Sequence, residues 1–415
     1  MISRRALVVT LAVISFLAAC SSSEEGVAPA STSTVSLPVF STAVSTTDVS
    51  STTAISTTIP VTVTPTTVRP VQEPLPNPEL FDAAIRLHTL DAGSRDVSVA
   101  VVYDGQVIHS YAASSRKSSR AVDEQTSFRI ASISKILTAV TVLKLVEQGQ
   151  LELDEPIVGR VADNIGVMLA DSRARDISVK QLLAHTSGIS NFLEIFFDIG
   201  AYDQMSMLSE ILGQSLSTEP GSAYKYSNVN YVLLGKAIEL VTGLSYHDAV
   251  EQLVLAPLGL QSFRLVGTYE FGPSDALHAV SGGRTYMEQL GAAGAWVATA
   301  IDVAKMVDSI NADSPTLHIL NADLMELMKA PATPKPVTPI WDYGLGLRLF
   351  VSGEWGHSGS IENVHSMAVH RPDGLVVAVL VNGSKPKETD DLIGAINDAV
   401  LAARTGVVAT TTVAP

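Results

Sequence analysis

The chain has 415 residues, of which 46% are hydrophobic and 17% are charged, a composition typical of a globular protein with a substantial core. Its formal net charge of -15 argues against a basic surface that binds nucleic acid through phosphate contacts, so we expect no nucleic-acid partner. The single cysteine, Cys20, excludes a disulfide framework within the chain.

The amino-terminal residues are typical of an export signal. Two arginines at positions 4 and 5 precede an apolar run from Ala6 to Ala19, which is shorter than the roughly 20 residues that span a membrane. We predict a signal peptide over residues 1–19. The segment Leu17-Ala18-Ala19-Cys20 resembles the lipobox of bacterial lipoproteins, in which the cysteine is lipidated. We therefore expect an exported protein anchored to the membrane through Cys20. The alternative is an ordinary secretory signal with an incidental cysteine.

A polar segment of low complexity follows the signal. Half of residues 21–68 are Ser or Thr, and four prolines lie between positions 70 and 78. Such a composition cannot bury enough apolar surface to offset the entropy of the chain, so we predict a disordered stalk over residues 20–76. A similar tail is predicted over residues 405–415. The folded domain should therefore span residues 77–404.

The folded domain is predicted to begin with a helix and a hairpin. Apolar residues at helical spacing predict a helix from Glu79 to Leu90. Two runs rich in valine and isoleucine then flank Asp104-Gly105, which is a strong signal for a turn between antiparallel strands. The middle of the chain, about residues 132–330, is predicted to be mostly helical with long loops.

Strand patterns return towards the carboxyl end, at residues 345–351, 364–370 and 375–382, and a final helix is predicted over residues 390–403. Strands at both ends with helices between them predict an α+β fold of the α/β sandwich type. In this fold the amino- and carboxyl-terminal segments form one antiparallel sheet with flanking helices, and a mostly helical region is inserted between them.

A serine and a lysine one helical turn apart form the first candidate site. The spacing Ser-x-x-Lys occurs four times, beginning at Ser114, Ser132, Ser222 and Ser384. Only Ser132 stands at the start of a strongly apolar helix, whose amino-terminal N–H groups favour developing negative charge. A neutral Lys135 could take the serine proton, because a serine hydroxyl is a weak nucleophile until an adjacent base activates it.

The second candidate is Tyr226-Ser227-Asn228, the one Tyr-x-Asn among ten tyrosines. A cationic lysine beside the Tyr226 phenol would favour its anionic form, which could then act as a base. The Asn228 amide could hold both the lysine and a substrate carbonyl. The alternative is an ordinary turn, since Pro220-Gly221 lies just upstream.

The third candidate is His357-Ser358-Gly359, the one His-x-Gly among nine histidines. Gly359 would allow a substrate to approach a strand edge closely. The alternative is a tight turn with His357 exposed. His357 and His365 lack accompanying carboxylates or cysteines at metal-ligand spacing, so we predict no metal site.

The three motifs, in this order, resemble those of the class C β-lactamase and D-alanyl-D-alanine carboxypeptidase family, which also contains esterases. The stretches at residues 182–188 and 343–346 are similar to the same family. The resemblance implies a β-lactamase/transpeptidase-like fold and an acyl-enzyme on Ser132, with no cofactor. It implies proton transfer shared by Lys135 and Tyr226, and an oxyanion hole formed by the backbone N–H groups of Ser132 and Ser360. The implied substrate-binding residues are Asn228, His357, Ser358 and Gly359.

His357 stands where many β-lactamases of that family have a lysine, a fixed cation, whereas histidine is mostly neutral at pH 7. We therefore predict a serine hydrolase that resembles D-Ala-D-Ala carboxypeptidases and acts outside the cytoplasm on cell-wall peptides. An esterase or a weak β-lactamase is the alternative, with an ester or a β-lactam as substrate. A non-catalytic penicillin-binding scaffold is the alternative of another class.

Overall fold

The structure of the protein is a computed structural model, and it describes residues 74–191, 193–197, 203–383 and 391–408. The predicted signal peptide, Cys20, nearly all of the predicted stalk and residues 409–415 lie outside the described residues, so those assignments stay predictions.

Ten strands are described: β1 (Ser94–Tyr103), β2 (Gln106–Ser114), β3 (Phe128–Arg129), β4 (Arg264–Leu265), β5 (Trp296–Ala298), β6 (Trp341–Tyr343), β7 (Arg348–Phe350), β8 (Trp355–Ile361), β9 (Val364–His370) and β10 (Leu375–Gly383). The helices are α1 (Pro78–His88), α2 (Ser134–Glu147), α3 (Val158–Ile165), α4 (Val179–Leu183), α5 (Leu193–Phe197), α6 (Gln204–Leu212), α7 (Asn228–Thr242), α8 (Tyr246–Val250), α9 (Ala256–Leu258), α10 (Tyr286–Leu290), α11 (Ala300–Asp308), α12 (Ala322–Lys329) and α13 (Asp391–Thr405). Short 3-10 turns lie at Ala131–Ile133, Ser172–Asp176 and Gly291–Ala293, and a π-helical turn lies at Glu251–Leu255.

A seven-stranded antiparallel sheet joins the two ends of the domain, in the order β2-β1-β10-β9-β8-β7-β6. The β1–β2 hairpin turns at Asp104 and Gly105, whose φ angles of +51° and +74° match the two-residue turn that the sequence predicts. A second sheet of three short strands, β3-β5-β4, lies in the inserted region. The predicted α+β fold is confirmed.

Helices cover both faces of the large sheet. On one face, α1 and α13 pack their apolar residues against Val99 and Val101 of β1. On the other face, Ala100 and Val102 join the large core that contains α2 and α11. Because both faces are covered, β1 is apolar along most of its length and does not alternate with polar residues.

Helix α2 is the centre of the inserted region. Eleven of its fourteen residues are buried, on all sides of the helix, so it packs within the core and not at its surface. Helix α7 packs against α2 and against the 3-10 turn at Gly291–Ala293. These neighbours bring distant parts of the chain to the start of α2, where Ser132 lies.

Candidate active site

Ser132 lies on the 3-10 turn that leads directly into α2. Ala131 has a φ of +48°, a left-handed conformation that is strained for a residue with a Cβ and bends the chain just before the serine. Strand β9 holds this bend, since Ser366 Oγ donates a hydrogen bond of 2.8 Å to the carbonyl of Ile130. Ser132 is partly exposed while its neighbours are buried, so the bend presents the hydroxyl at the surface.

Lys135 is fully buried one turn further along the chain, and its ammonium or amine group has three partners. Nζ lies 3.2 Å from Ser132 Oγ, 2.9 Å from Asn228 Oδ1 and 2.6 Å from the carbonyl oxygen of Ala293. These contacts join α2, α7 and the 3-10 turn before β5. The lysine is therefore held in one position relative to the serine.

Burial lowers the pKa of Lys135 well below its usual value, and the positive charge of Arg348 lowers it further. A neutral amine has two N–H groups and one lone pair. The two N–H groups match the carbonyl oxygens of Asn228 and Ala293, which leaves the lone pair for the hydroxyl proton of Ser132. This arrangement suits Lys135 as the group that takes the serine proton.

Tyr226 lies in the loop before α7 and donates a hydrogen bond of 2.9 Å to Ser132 Oγ. Its ring centre is 5.1 Å from Lys135 Nζ. Burial raises the pKa of Tyr226 to about 12, although the hydrogen bond to Ser132 and the charge of Arg348 oppose this shift. The expectation that a cationic lysine would favour a phenolate is therefore wrong. The phenol keeps its proton at neutral pH and can donate it.

Asn228 is the first residue of α7, so Tyr226-Ser227-Asn228 is a loop that becomes a helix. Its side chain accepts from Lys135, and its backbone N–H donates to Asn191 Oδ1 at 2.8 Å. The turn interpretation is right for Tyr226, and yet the loop also places the phenol on Ser132. Both readings of the motif therefore hold together.

His357 lies on β8 and is 1% exposed, so the interpretation as an exposed turn residue is wrong. Its Nδ1 lies 2.5 Å from the carbonyl oxygen of Ser358 and must therefore donate. Its Nε2 then accepts from the hydroxyl of Tyr343 at 2.9 Å. Burial lowers the pKa of His357 well below its usual value, and the charge of Arg348 adds to this effect. The imidazole is therefore neutral and cannot serve as a cation for a substrate.

The other predicted site residues, Ser358, Gly359 and Ser360, lie on β8, beside the turn that carries Ser132. Among the described strands, β7 pairs with β8 only at Trp355 and Gly356, so residues 357–361 extend beyond that pairing. A Cβ on Gly359 would overlap the carbonyl oxygen of Ile130, which shows how closely β8 lies against the serine turn. Ser358 is buried and Ser360 is exposed at this position.

Two residues that act on Lys135, His357 or Tyr226 were given no catalytic role from the sequence. Arg348 on β7 lies with its guanidinium carbon 4.7 Å from the centre of the Trp341 ring, and its charge acts on Lys135 and His357. His185 is fully buried, with its ring centre 4.3 Å from that of Tyr226. His185 lies within the stretch at residues 182–188, and Arg348 lies two residues after the stretch at residues 343–346. Both stretches resemble the family, so the positive charge beside the second stretch was the sequence signal that could have indicated Arg348.

Of the remaining Ser-x-x-Lys serines, the two that the structure describes form hydrogen bonds elsewhere. Ser114 Oγ donates to Asp96 at 2.7 Å, and Ser222 Oγ donates to the carbonyl of Glu219 at 2.6 Å. Ser384 lies outside the described residues. Within the described ranges, no group of three or more His, Cys, Asp or Glu side chains could hold a metal ion. No helix in the same ranges is long and apolar enough to cross a membrane.

The fold and the serine–lysine–tyrosine cluster are those of a serine hydrolase. A sequence model of the family described as Beta-lactamase matches residues 81–401, so the chain belongs to that family and is a serine hydrolase within it. The family to which the sequence motifs point is confirmed.

Individual relatives differ in the activity that their names record. The chain is 27% identical over 374 residues to esterase EstB of Burkholderia gladioli, an alignment that covers 78% of this chain and 94% of the esterase. It is 32% identical over 188 residues to penicillin-binding protein 4 of Amycolatopsis lactamdurans, covering 44% of this chain and 46% of that protein. The solved D-amino acid amidase of Ochrobactrum anthropi SV3 is similar in fold, with a TM-score of 0.65, 24% identity, and coverage of 79% of this chain and 99% of the amidase.

Proposed function

We propose that the protein is an exported acyl hydrolase that resembles D-Ala-D-Ala carboxypeptidases and forms its acyl-enzyme on Ser132. The observation that carries this proposal is the set of contacts at Lys135, where a fully buried amine has two carbonyl acceptors and Ser132 as its remaining partner. An amine held in this way is a base with a single proton to accept, and that proton is the one on Ser132 Oγ.

In the acylation step, Ser132 Oγ forms a bond to the substrate carbonyl carbon while its proton passes to Lys135 Nζ. The developing oxyanion accepts from the backbone N–H groups of Ser132 and Ser360. The bond between the carbonyl carbon and the leaving nitrogen or oxygen then breaks as Tyr226, which holds its proton, donates it to that atom, and the proton held by Lys135 restores Tyr226. Water then attacks the ester carbonyl and gives one proton to Tyr226 as the Tyr226 proton passes to Lys135. The bond between the carbonyl carbon and Ser132 Oγ breaks, and Lys135 gives its proton to Ser132 Oγ.

Arg348 supports a substrate with a free carboxylate. His357 is neutral and both of its ring nitrogens are engaged, so it does not replace the lysine of many β-lactamases. Arg348 supplies a positive charge whose field reaches Lys135 and Tyr226. A peptide that ends in D-Ala would place its terminal carboxylate towards this charge while its backbone lies along the edge of β8.

Esterase activity is the second candidate, because the alignment with esterase EstB covers 94% of that protein. Weak β-lactamase activity is a third candidate with the same site chemistry, and the partial match to penicillin-binding protein 4 supports the binding of a penicillin at this site. Each of these activities uses the same acyl-enzyme and differs in the leaving group.

A comparison of substrates tests the proposal. The purified protein is offered an acyl-D-Ala-D-Ala peptide, the same peptide with a terminal amide, a nitrophenyl ester and a penicillin. We expect the peptide with the free carboxylate to be preferred over its amide. Arg348→Met should lower kcat/KM for the carboxylate peptide by about tenfold or more, since a hydrogen bond to a charged group contributes about 1.5–3 kcal/mol.

Two controls separate the explanations. The amide peptide reports any effect of Arg348 on the Lys135 pKa, because it lacks the carboxylate. Arg86→Met removes one exposed positive charge on α1, on the opposite face of the sheet. This variant should change kcat/KM neither for the carboxylate peptide nor for the amide peptide. Turnover of the ester without the peptide would favour the esterase, and binding of penicillin without any adduct or turnover would favour the scaffold.

We also propose that the mature protein is a lipoprotein held outside the cytoplasm by Cys20, as the segment Leu17-Ala18-Ala19-Cys20 suggests. Cys20→Ala should move the protein from the membrane fraction to the soluble fraction outside the cytoplasm. Membrane association that is unchanged in this variant would refute the anchor.

A further inference from the structure

His185 lies at the end of a short turn after α4 and is completely buried. It has a φ of +56°, a left-handed conformation that is uncommon for a side chain of this size. Its ring lies 4.3 Å from the Tyr226 ring and 5.0 Å from the Tyr343 ring, measured between centres. The surrounding structure maintains this strained backbone beside Tyr226. Such strain is typical of residues with a functional role.

The hydrogen bonds of His185 determine which ring nitrogen carries the proton. The backbone N–H of Ser227 donates to Nδ1 at 3.2 Å, so Nδ1 is an acceptor. Asn230 Nδ2 lies 3.1 Å from the same nitrogen. The orientation of the Asn230 amide is set by Ser187, whose hydroxyl donates to Asn230 Oδ1 at 2.7 Å. Nδ1 therefore receives two donors, and the proton is on Nε2.

The imidazole is also kept neutral. Burial lowers the pKa of His185 well below its usual value, and the charge of Arg348 acts in the same direction. A neutral ring is required here, since a protonated Nδ1 would repel the Ser227 N–H that it now accepts.

The loop that carries His185 holds the whole Tyr226-Ser227-Asn228 segment. Lys225 N–H donates to the His185 carbonyl at 2.8 Å, Ser227 Oγ donates to the Ser190 carbonyl at 3.0 Å, and Asn228 N–H donates to Asn191 Oδ1 at 2.8 Å. At the start of α7, the side chains of His185 and Asn191 thus accept from the backbone N–H groups of Ser227 and Asn228, which have no intrahelical partner. His185 is the member of this set that also touches the Tyr226 ring.

We propose that His185 is a positioning residue whose Nδ1 holds the Ser227 N–H and whose ring face fixes Tyr226, so that the phenol stays on Ser132 and Asn228 stays on Lys135. This inference rests on the proposed function, in which Tyr226 and Lys135 transfer the protons. His185 itself takes no proton from the substrate. Its loss would move the Tyr226 hydroxyl away from Ser132 without removing any reacting group.

Two isosteric variants test this role. The amide of asparagine overlays the Nδ1 side of a histidine ring, and asparagine tolerates the left-handed backbone. The amide of glutamine reaches the Nε2 side instead. His185→Asn keeps the acceptor for the Ser227 N–H but loses the ring beside Tyr226, so kcat should fall by up to about tenfold. His185→Gln loses both contacts and should lower kcat by about 100-fold with KM nearly unchanged, as expected when a general acid–base group is displaced.

The measurements are kcat and KM with a nitrophenyl ester, the rate of fluorophosphonate labelling, and the thermal midpoint of each variant. Ser132→Ala is the reference and should be inactive and unlabelled. If Ser132→Ala stays active, the proposed function fails. If Ser132→Ala is inactive while folded His185→Gln keeps kcat within about threefold of the parent, only the role of His185 fails. Equal losses in the asparagine and glutamine variants at equal thermal midpoints would also overturn it, because the rescue by asparagine depends on the Nδ1 acceptor.

Discussion

Gly359 is the point where β8 meets the turn that carries Ser132, and Gly359→Ala tests whether this contact sets the reactive geometry. A Cβ at Gly359 would overlap the carbonyl oxygen of Ile130 and the hydroxyl of Ser366, and it would lie 3.0 Å from the Cβ of Ala131. Ile130 and Ala131 form the bend before the serine, and Ser366 donates a hydrogen bond to it. The added methyl group would therefore push β8 and the bend apart.

The expected effect on activity exceeds the effect on stability. Overpacking costs about 1–3 kcal/mol of the free energy of unfolding, and a domain has about 5–15 kcal/mol, so the variant should fold. Carbon atoms in contact are about 3.5–4.0 Å apart, so relief of the Ala131 contact requires a shift of roughly 0.5–1 Å. A displacement of about 1 Å at reacting atoms costs on the order of 100-fold in rate.

The assay is single-turnover acylation by a nitrophenyl ester, together with thermal unfolding. Gly394→Ala is the matched control, because a Cβ at Gly394 on α13 meets nothing within 4 Å. That control should keep full activity and gain up to about 1 kcal/mol of stability from helix propensity. Acylation by Gly359→Ala within about threefold of the parent would refute the claim that this contact positions Ser132.

Three further predictions follow from the same site and from the stalk. The acylation rate should fall as the pH falls through the lowered pKa of Lys135, because protonation removes the base, and Tyr226 should cause no loss below its pKa of about 12; a pH–rate profile without this acidic limb would contradict the assignment. Lys135→Ala and Tyr226→Phe should each reduce acylation by about 100-fold to 10,000-fold, and the double variant by less than the product, because both disrupt one proton relay; additive losses in rapid-quench measurements would argue against a relay. A fragment of residues 77–404 should unfold in one cooperative transition. If this fragment were unfolded while the mature chain is folded, the predicted domain boundary would be wrong.

The sequence predicted the parts of the site that are close together along the chain. Ser132 and Lys135 are one helical turn apart, and Tyr226 and Asn228 are two residues apart, so local spacing alone suggested their chemistry. The apolar run after Lys135 predicted a strongly apolar helix. In the structure this helix is buried, and its burial is what lowers the lysine pKa. The phenolate was predicted wrongly because the prediction considered a neighbouring charge and not the desolvation of Tyr226 itself.

The parts that depend on tertiary pairing could not be predicted. Strand β8 consists largely of glycine, serine and histidine, which carry little strand signal, and it is buried because helices cover both faces of the sheet. The strand predicted over residues 345–351 is shorter, at Arg348–Phe350, because Gly346 turns the chain at a φ of +85°. This turn, together with the pairing of β7 with β8, brings the charge of Arg348 near Lys135.

The most direct test of the central claim is to locate the acyl group. The purified mature protein and its Ser132→Ala variant are treated with a fluorophosphonate or a fluorescent penicillin, and the adduct is mapped by intact mass and peptide mass spectrometry. We predict one adduct on Ser132 and none in the variant, with Ser114→Ala, Ser222→Ala and Ser384→Ala labelled like the parent. An adduct on one of those three serines with Ser132 unmodified, or equal labelling of Ser132→Ala, would contradict the account.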